Sequence, residues 1–285
     1  MLAKLARRIY KAEQLDGIVE PLADAANRVL PPGGVKDLLH GKQLGHALHP
    51  MLVAAPIGFN IGASLLDLVP GERAGVREGA QRLTGAALLA TVPTVLAGLA
   101  DWSSLGANIG EKRVGLVHAG ANTFATTFYL ASWLARRSGR HGLGATLSLI
   151  GGGGLVVGGY LGGHLAYVNA VGVNRNADAQ PEPADWTDAA PATDLDQGPI
   201  RVDLEGQAIV VVRDTFGVHA LGAVCSHLGG PLDEGELTDG CLVCPWHGSE
   251  FDVTTGAVVR GPATVPQPRY EARIEDGRVQ VRARE

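Results

Sequence analysis

Two cysteines and two histidines near the C-terminal end of the chain have a spacing that suits metal binding. Cys225 and His227 form one pair, and Cys244 and His247 form a second pair after sixteen intervening residues. Two thiolates and two neutral imidazoles can hold a [2Fe–2S] cluster, with both cysteines on one iron and both histidines on the other. The same set could hold tetrahedral zinc, but zinc sites usually pair Cys with Cys and His with His. The interleaved order therefore favours the cluster, with the two short segments facing each other across it.

The residues around these four positions resemble the Rieske iron–sulfur family over about residues 198–285. The matching runs are His227-Leu228-Gly229-Gly230, Gly248-Ser249-Glu250-Phe251-Asp252 and Gly261-Pro262-Ala263. The resemblance implies a small antiparallel β-sandwich in which the two cysteines and two histidines bind the cluster. A zinc site and a Rieske-like fold without its cluster are the alternatives.

Three residues beside the second pair bear on the reduction potential that the resemblance implies. In Rieske proteins of high potential, a serine two residues after the last histidine donates to a bridging sulfide, and a tyrosine two residues later donates to a ligand thiolate. This chain has Ser249 and Phe251 at these positions, and Pro245 follows the second cysteine. We therefore expect an intermediate potential, within the Rieske range of about −150 to +300 mV but away from its top. Alternatively, Ser249 is a plain turn residue.

The third cysteine, Cys241, has no partner if the other two bind the cluster. No intrachain disulfide is then expected, which fits a reducing compartment. Rieske proteins that oxidise quinol in respiratory complexes join their two ligand segments by a disulfide. Gly230 and Trp246 occupy the corresponding positions here, so the resemblance does not extend to that feature.

The segment from about residue 49 to residue 173 contains few charged residues. A membrane-spanning helix needs about 20 mostly apolar residues, and four candidates fit within this segment. They are approximately residues 49–69, 83–105, 114–134 and 143–171. Gly154, Gly158 and Gly162 lie on one helix face, which suits close helix packing in lipid. A soluble bundle of unusually apolar helices is the alternative.

Two motifs of this segment resemble an uncharacterised bacterial family of four-helix membrane proteins, domain of unknown function 2231. The motifs are His49-Pro50-Met51-Leu52-Val53 with Pro56-Ile57-Gly58, and Gly159-Tyr160-Leu161-Gly162-Gly163-His164-Leu165 with Val171-Gly172-Val173. The resemblance covers about residues 40–175. It implies four spans and brings no settled activity.

The patterns predict a multi-domain protein, with an N-terminal four-helix transmembrane bundle and a C-terminal small all-β antiparallel Rieske sandwich. Residues 1–48 are expected to form an amphipathic interfacial segment, or a helix that packs on the rest of the protein. Residues 49–173 form the four-span domain and residues 199–285 the Rieske domain. Residues 174–198 are rich in Asp, Pro and Ala and predict a flexible linker, or alternatively an ordered strap anchored by Trp186.

Four ionisable residues of the spans are predicted to share one level of the bundle, on the side of the chain termini. They are His49, Asp101, His118 and His164. Ionisable residues in a membrane are costly and usually functional, and neutral imidazoles are good ligands for haem iron and other metals. The hypothesis is a haem, metal or quinone site. Alternatively, His49 only begins a helix before Pro50, and the other two histidines satisfy each other or backbone groups.

The predicted function is a membrane-anchored Rieske one-electron carrier between a soluble redox partner, a reductase or an oxygenase, and a membrane acceptor. One alternative is a membrane oxidoreductase with haem or quinone at the histidine level, and another is a redox sensor. Only 38 residues follow His247, and none is a histidine, so we expect no oxygenase catalytic domain on this chain. The net charge of −5 does not suggest a nucleic-acid partner.

The N-terminal residues lack the apolar stretch of a signal peptide. Lys and Arg are somewhat more frequent on the side of the termini, which favours the cytoplasm for that side. The expected location is therefore the bacterial inner membrane, with the lipid bilayer as a partner and the Rieske domain in the cytoplasm.

Overall fold

The chain forms two compact units, and each unit takes residues from two separate parts of the sequence. The computed structural model describes residues 2–71, 73–106, 108–180 and 182–283. The first unit comprises Met1–Val29 and Leu48–Asn169, and the second comprises Leu30–Ala47 and Ala170–Glu285. The chain therefore passes between the units three times, where the sequence predicted one linker after residue 173.

The first unit is helical. The helices of the chain are α1 (Leu2–Tyr10), α2 (Asp16–Val29), α3 (Gly34–His40), α4 (His49–Leu52), α5 (Ala54–Asp67), α6 (Ala74–Ser103), α7 (Ile109–Arg137) and α8 (His141–Tyr167). All except α3 belong to this unit. Helices α4 and α5 pack on α6 to form a first hairpin, and α7 packs on α8 to form a second. The predicted four-helix architecture is confirmed in this form, with α4 and α5 together making the first helical segment.

Three of the described helical segments are long and apolar enough to cross a membrane: His49–Asp67, Ala74–Ser103 and His141–Tyr167. The predicted third span, residues 114–134, lies in α7 and is not among them. Helix α7 is as long as its neighbours, but its middle is polar. The polar residues are His118, Asn122, Thr123, Thr126, Thr127 and Ser132. The prediction of four spans is therefore too high by this measure, because the apolar residues of α7 are interrupted by side chains that bond within the unit.

A buried ion pair joins α5 to the second hairpin. Arg136 of α7 is 1% exposed and donates from both terminal nitrogens to the two carboxylate oxygens of Asp67 in α5, at 2.7 and 2.5 Å. Its Nε also bonds the hydroxyl of Ser132, which lies 2.8 Å from the hydroxyl of Ser148 in α8. A buried charge is tolerated when it is paired and hydrogen-bonded. This network therefore ties three helices together at one end of the bundle.

The first two helices pack on the rest of the helical unit. Ala6 of α1 is buried together with Val114 of α7 and Leu161 of α8. The Arg113 guanidinium bonds both carboxylate oxygens of Asp16, at 2.6 Å each. Of the two expectations for this region, the structure shows packing for residues 2–29. Residues 30–47 belong to the second unit, so treating 1–48 as one interfacial segment was wrong.

The second unit is built on two antiparallel sheets. Its strands are β1 (Thr187–Pro191), β2 (Ile200–Leu204), β3 (Gln207–Arg213), β4 (Val218–Gly222), β5 (Glu236–Thr238), β6 (Cys241–Val243), β7 (Glu250–Asp252), β8 (Val258–Arg260), β9 (Arg269–Glu275) and β10 (Arg278–Ala283). The six-stranded sheet has the order β1-β10-β9-β4-β3-β2, and the four-stranded sheet has the order β5-β6-β7-β8. The predicted small antiparallel β-sandwich is confirmed.

Most of the predicted flexible linker is folded. Strand β1 pairs with β10, and Ala190 and Leu195 are buried against the six-stranded sheet. The guanidinium groups of Arg273 and Arg282 lie over the Trp186 ring, at 4.2 and 4.7 Å from its centroid. The composition was misleading because a strand gains its ladder hydrogen bonds from backbone groups, and the small residue Ala190 is sufficient to bury the inner face of β1. Pro181 of this segment lies outside the described residues.

Candidate metal centre

The four predicted cluster ligands lie on two loops of equal length. The first loop, residues 225–230, is closed by a bridge between Val224 and Pro231. The second loop, residues 244–249, is closed by the pairing of Val243 in β6 with Glu250 in β7. Each loop therefore begins with a cysteine at the end of an extended segment. It ends where the chain pairs with that same segment in antiparallel fashion.

The two loops also share their backbone hydrogen bonds. The N–H of each cysteine donates to the carbonyl five residues later, on Gly230 and Ser249, at 2.8 Å in both loops. The N–H of the glycine four residues after each cysteine donates back to the cysteine carbonyl, at 2.9 and 3.0 Å. These glycines, Gly229 and Gly248, have φ values of +81° and +70°, which glycine adopts without strain. The glycines noted in the sequence thus shape both loops in the same way.

The structure brings the four predicted ligands together as two pairs. Cys225 and Cys244 are each 1% exposed, and their thiols share a hydrogen bond. The rings of His227 and His247 have centroids 4.9 Å apart and are nearly perpendicular. One pair is therefore sulfur and the other nitrogen, which is the division of ligands that a two-iron cluster of this type requires.

The environment of the loops favours the thiolate form of Cys244 and the neutral form of His227. In each loop, the backbone N–H groups of the second and third residues after the cysteine donate hydrogen bonds to its sulfur. The pKa of Cys244 is lowered to about 7 by the hydrogen bond from Cys225 and by these amides. The pKa of Cys225 is raised by its bond to Cys244 and by burial. Burial also lowers the pKa of His227 to about 3, so its imidazole is neutral at physiological pH.

The residues present fit a [2Fe–2S] cluster better than a single metal ion. Among the described residues, no group of three or more His, Cys, Asp or Glu side chains is placed to hold one ion, and tetrahedral zinc needs at least three such ligands. The buried Nδ1 of His227 has no hydrogen-bond partner among the described residues, which suits a nitrogen that would face iron. At Gly230, a Cβ would lie 2.8 Å from the Cys244 sulfur, so this position keeps the space beside the thiolates clear.

A third loop, residues 261–268, braces the two cysteine loops. The hydroxyl of Ser226 in the first loop donates to the carbonyl of Val265, at 2.7 Å. The N–H of Ala263 donates to the hydroxyl of Ser249 in the second loop, at 3.0 Å. Since Ser249 is fully buried and its oxygen accepts that bond, its own proton is available to the interior of the site. Ser249 is thus more than an exposed turn residue.

Comparison with known proteins gives a consistent result for both parts of the chain. Residues 185–271 match the Rieske [2Fe-2S] domain, and residues 45–175 match the family described as "Predicted membrane protein (DUF2231)". Ferredoxin CarAc of Metapseudomonas resinovorans is 34% identical over 100 residues, which cover 34% of this chain and 92% of the ferredoxin. The chain belongs to the Rieske [2Fe–2S] family.

Other relatives match the same part of the chain. Apoptosis-inducing factor 3 of Homo sapiens is 38% identical over 106 residues, or 36% of this chain, but these cover only 18% of that protein. The solved ferredoxin of carbazole 1,9a-dioxygenase from Nocardioides aromaticivorans IC177 is 30% identical and aligns over 35% of this chain and 100% of its own, with a TM-score of 0.32. The match to ferredoxin CarAc supports a Rieske cluster and an electron-carrier role for the Rieske domain.

The other two predicted neighbours of the cluster differ in burial. Phe251 is fully buried, in the same apolar cluster as Cys225 and Cys244. It thus lies in the same core as the two cysteines but offers no hydroxyl. Pro245 is exposed, and the side chain of the next residue, Trp246, is 50% exposed. The second loop therefore presents an apolar surface next to His247.

Helix α3 supports the third loop of the Rieske domain, and sequence reasoning missed it. The buried carboxylate of Asp37 accepts the N–H of Gly261, at 2.9 Å. Lys42 donates to the carbonyl of Val259 at 2.6 Å and lies 3.7 Å from Asp37. His40 is buried beside Gly261, where a Cβ would lie 3.1 Å from its Cδ2. A contact across more than two hundred residues leaves no periodic signal in the sequence.

Replacing Asp37 by alanine is expected to destabilise the Rieske domain by about 1–3 kcal/mol, because the buried N–H of Gly261 would lose its acceptor. Unfolding followed by circular dichroism at increasing urea concentration would measure the change. The matched control is Asp203→Ala, because Asp203 is exposed and forms its ion pair with Arg201 at the surface. Equal stability of the two variants would contradict the supporting role of α3.

The four predicted residues of the helical unit are only partly brought together. His49 and His118 have ring centroids 6.4 Å apart. His164 instead stacks on Tyr160 of its own helix, with centroids 6.2 Å apart. Asp101 lies in the last turn of α6. The structure thus singles out His49 and His118 as a close pair.

Proposed function

We propose that the chain is a membrane-anchored Rieske electron carrier that passes single electrons between a soluble redox partner and a membrane acceptor. The observation that carries the proposal is the pair of matched loops. Each loop contributes one cysteine and one histidine, so that the two cysteines are paired and the two histidines are paired. Cys225 and Cys244 would be the thiolate ligands, and His227 and His247 the imidazole ligands. A bound [2Fe–2S] cluster accepts and releases one electron at a time.

The residues of the chain would hold and tune this group. Loop amides directed at both sulfurs stabilise the thiolate form. The third loop fixes both cysteine loops through Ser226 and Ser249. Rigid support of this kind holds metal ligands at their required positions. The chain therefore provides a preformed site that needs little rearrangement between redox states.

The surface around Trp246 and Pro245 is the face on which a redox partner would dock. Both residues are exposed next to His247, and exposed aromatic residues are enriched at protein interfaces. A ferredoxin that serves a dioxygenase is among the relatives, which supports a reductase or an oxygenase as the partner.

Three helical segments suited to membrane crossing and the match to a membrane family support anchoring in a bilayer. If α7 crosses the bilayer beside these three segments, both chain termini lie on one side. The distribution of Lys and Arg then supports the inner membrane with the Rieske domain on the cytoplasmic side. The cysteines, all described, form no disulfide, which agrees with a reducing compartment.

Cys241 allows this topology to be tested on the full chain. It is half-buried on β6 and is not one of the proposed ligands. A membrane-impermeant thiol reagent should label it in inverted membrane vesicles but not in intact spheroplasts, and Cys241→Ser should remove the labelling. Labelling in intact spheroplasts would contradict the cytoplasmic placement, and recovery of the protein without membranes would contradict anchoring.

Two substitutions are expected to move the reduction potential in opposite directions. Ser249→Ala removes a hydroxyl whose proton is available to the site, and should lower the potential. Phe251→Tyr adds a hydroxyl within the core that contains both cysteines and should raise it, since hydrogen bonds to sulfur stabilise the reduced cluster. Protein-film voltammetry would measure both shifts. Unchanged potentials in both variants would contradict these roles.

A membrane oxidoreductase is the second candidate function. It is favoured by the close approach of His49 and His118, which could hold a haem, a metal or a quinone. Electrons would then reach a bound acceptor within the same chain.

A further inference from the structure

Two histidines of the helical unit are held in the same way by two different helical hairpins. In the first hairpin, Nδ1 of His49 in α4 lies 2.9 Å from the carbonyl of Thr94 in α6. The ring lies against Gly98, where a Cβ would be 2.8 Å from its Cε1. The imidazole therefore rests on the backbone of α6, at a position where only glycine leaves room for it.

The second hairpin repeats this arrangement. Nδ1 of His118 in α7 lies 2.8 Å from the carbonyl of Gly158 in α8. Its ring lies against Gly162, where a Cβ would be 3.1 Å from its Cε1. In both hairpins the glycine follows the carbonyl residue by four positions, which is one helical turn. The two hairpins thus share one motif. In each, a histidine of the first helical segment bonds a backbone carbonyl of the second segment and packs against a glycine one turn further along it.

These hydrogen bonds fix the tautomer of both rings. A carbonyl oxygen can only accept, so Nδ1 of each imidazole must carry the proton. In the neutral ring, Nε2 then carries the lone pair. Histidines that bind metals almost always donate their other ring N–H to a carbonyl or carboxylate in this manner. Nε2 is therefore the atom of each ring through which it can bind a metal.

Asn122 is the polar neighbour of His118 and does not cover the Nε2 lone pair. Its amide nitrogen lies 3.2 Å from Nε2 and 3.5 Å from Nδ1, and it donates to the His118 carbonyl at 2.9 Å. A donor placed along the Nε2 lone pair would be much farther from Nδ1 than from Nε2. Nearly equal distances place the amide beside the ring instead, so the lone pair remains available.

The separation of the two rings suits one metal between them. Two imidazoles on opposite sides of one metal, at nitrogen–metal distances of about 2.0–2.1 Å, have ring centroids roughly 6–6.5 Å apart. The centroids of His49 and His118 are 6.4 Å apart. No third His, Cys, Asp or Glu joins them in a metal-binding group among the described residues. Two axial imidazoles are insufficient for tetrahedral zinc but complete the coordination of haem iron, whose porphyrin supplies the remaining four nitrogens.

We propose that His49 and His118 bind the iron of one haem through their Nε2 atoms, at the meeting of the two hairpins. His164 and Asp101 are not ligands of this site. The inference deepens the second candidate function and rests on the proposed function for the use of the haem as an electron acceptor. Its binding chemistry depends on the helical unit alone.

The first test is the absorption spectrum of the full chain, purified in detergent from cells supplied with a haem precursor. A Soret band and about one haem per chain in the pyridine haemochrome assay are expected. His49→Ala and His118→Ala should each lower the haem content at least about tenfold, since even indirect support of a metal ligand is commonly worth 10–100-fold in affinity. His164→Ala is the matched control and should keep the haem.

A second pair of variants separates haem binding from general packing. Gly98→Ala places a Cβ against the His49 ring and should lower the haem content severalfold. Gly153→Ala, on the same kind of helix, places its Cβ in open space and should have no effect. The far-ultraviolet circular dichroism signal of the helices, measured in every variant, reports that the helical unit is folded.

The outcomes distinguish this inference from the proposed function. Iron–sulfur bands without a Soret band, or with bound copper or quinone in its place, would overturn the haem and leave the Rieske carrier intact. A Soret band without iron–sulfur bands would overturn the carrier and leave the haem. Loss of haem from His164→Ala but not from His118→Ala would overturn the assignment of ligands.

Discussion

Replacing Cys244 by alanine is expected to abolish the visible iron–sulfur absorption of the purified chain. Cys244 and Cys225 form the sulfur pair of the site, and one iron would be left with a single protein ligand. Losing a residue that only supports a metal ligand typically costs about tenfold in metal affinity. Losing the ligand itself should therefore lower the cluster occupancy by well over tenfold. Absorbance and iron content per chain, measured side by side, would give the change.

Cys241 provides the matched control for this substitution. It is the same residue type in β6, the strand that precedes the second cysteine loop, where it pairs with Asp252 of β7, and it lies outside the two cysteine loops. Cys241→Ala should retain full absorbance and iron. If Cys244→Ala kept its cluster, or if both variants lost theirs, the assignment of the sulfur ligands would be wrong.

The second large effect is expected in the helical unit. Asp67→Asn should lower the free energy of unfolding by about 3–5 kcal/mol, because it leaves the guanidinium of Arg136 buried without its counter-charge. The two remaining contacts, with Ser132 and Ser148, supply no negative charge. Unfolding in mixed detergent micelles, followed by tryptophan fluorescence, would measure the loss.

An exposed ion pair of the same unit calibrates this measurement. Glu78 and Arg82 are paired along α6, but their side chains are 57% and 77% exposed. Glu78→Gln should therefore cost less than about 0.5 kcal/mol. Comparable losses in the two variants would show that the Asp67–Arg136 pair is not the buried connection that the structure describes. Replacing both partners together, as in Asp67→Leu with Arg136→Met, should recover part of the stability.

The sequence predicted the residues of the candidate metal centre more completely than the elements that support them. Ligand spacing is a local property, so Cys225, His227, Cys244 and His247 could be proposed as ligands from residue types alone, and the structure brings them together as two pairs. The contact of Asp37 with Gly261 joins residues far apart in the chain, and no periodicity marks it. Strand β1 was missed because an Asp- and Ala-rich segment gains its structure from pairing with β10.

In the helical unit too, the residues of the candidate site could be predicted from the sequence, but the contacts that support them could not. The direction of the spans along the chain was sufficient to predict that His49, Asp101, His118 and His164 share one level, but not that His49 and His118 form a close pair. The backbone carbonyls that accept a hydrogen bond from each ring could not be predicted, because every residue has such a group. Residues 114–134 of α7 were predicted to be a membrane span because most of them are apolar and charged residues flank them. Its side chains, such as Ser132, instead bond within the unit.

The most direct test of the central claim is to identify the metal centre in the detergent-purified full chain. The expected result is two irons and two acid-labile sulfides per chain, with visible bands that bleach on reduction. Pulsed electron paramagnetic resonance of the reduced protein should show two coupled histidine nitrogens, which His227→Cys or His247→Cys should reduce to one. A colourless protein that contains zinc, or an iron–sulfur signal without nitrogen coupling, would contradict the Rieske assignment of Cys225, His227, Cys244 and His247.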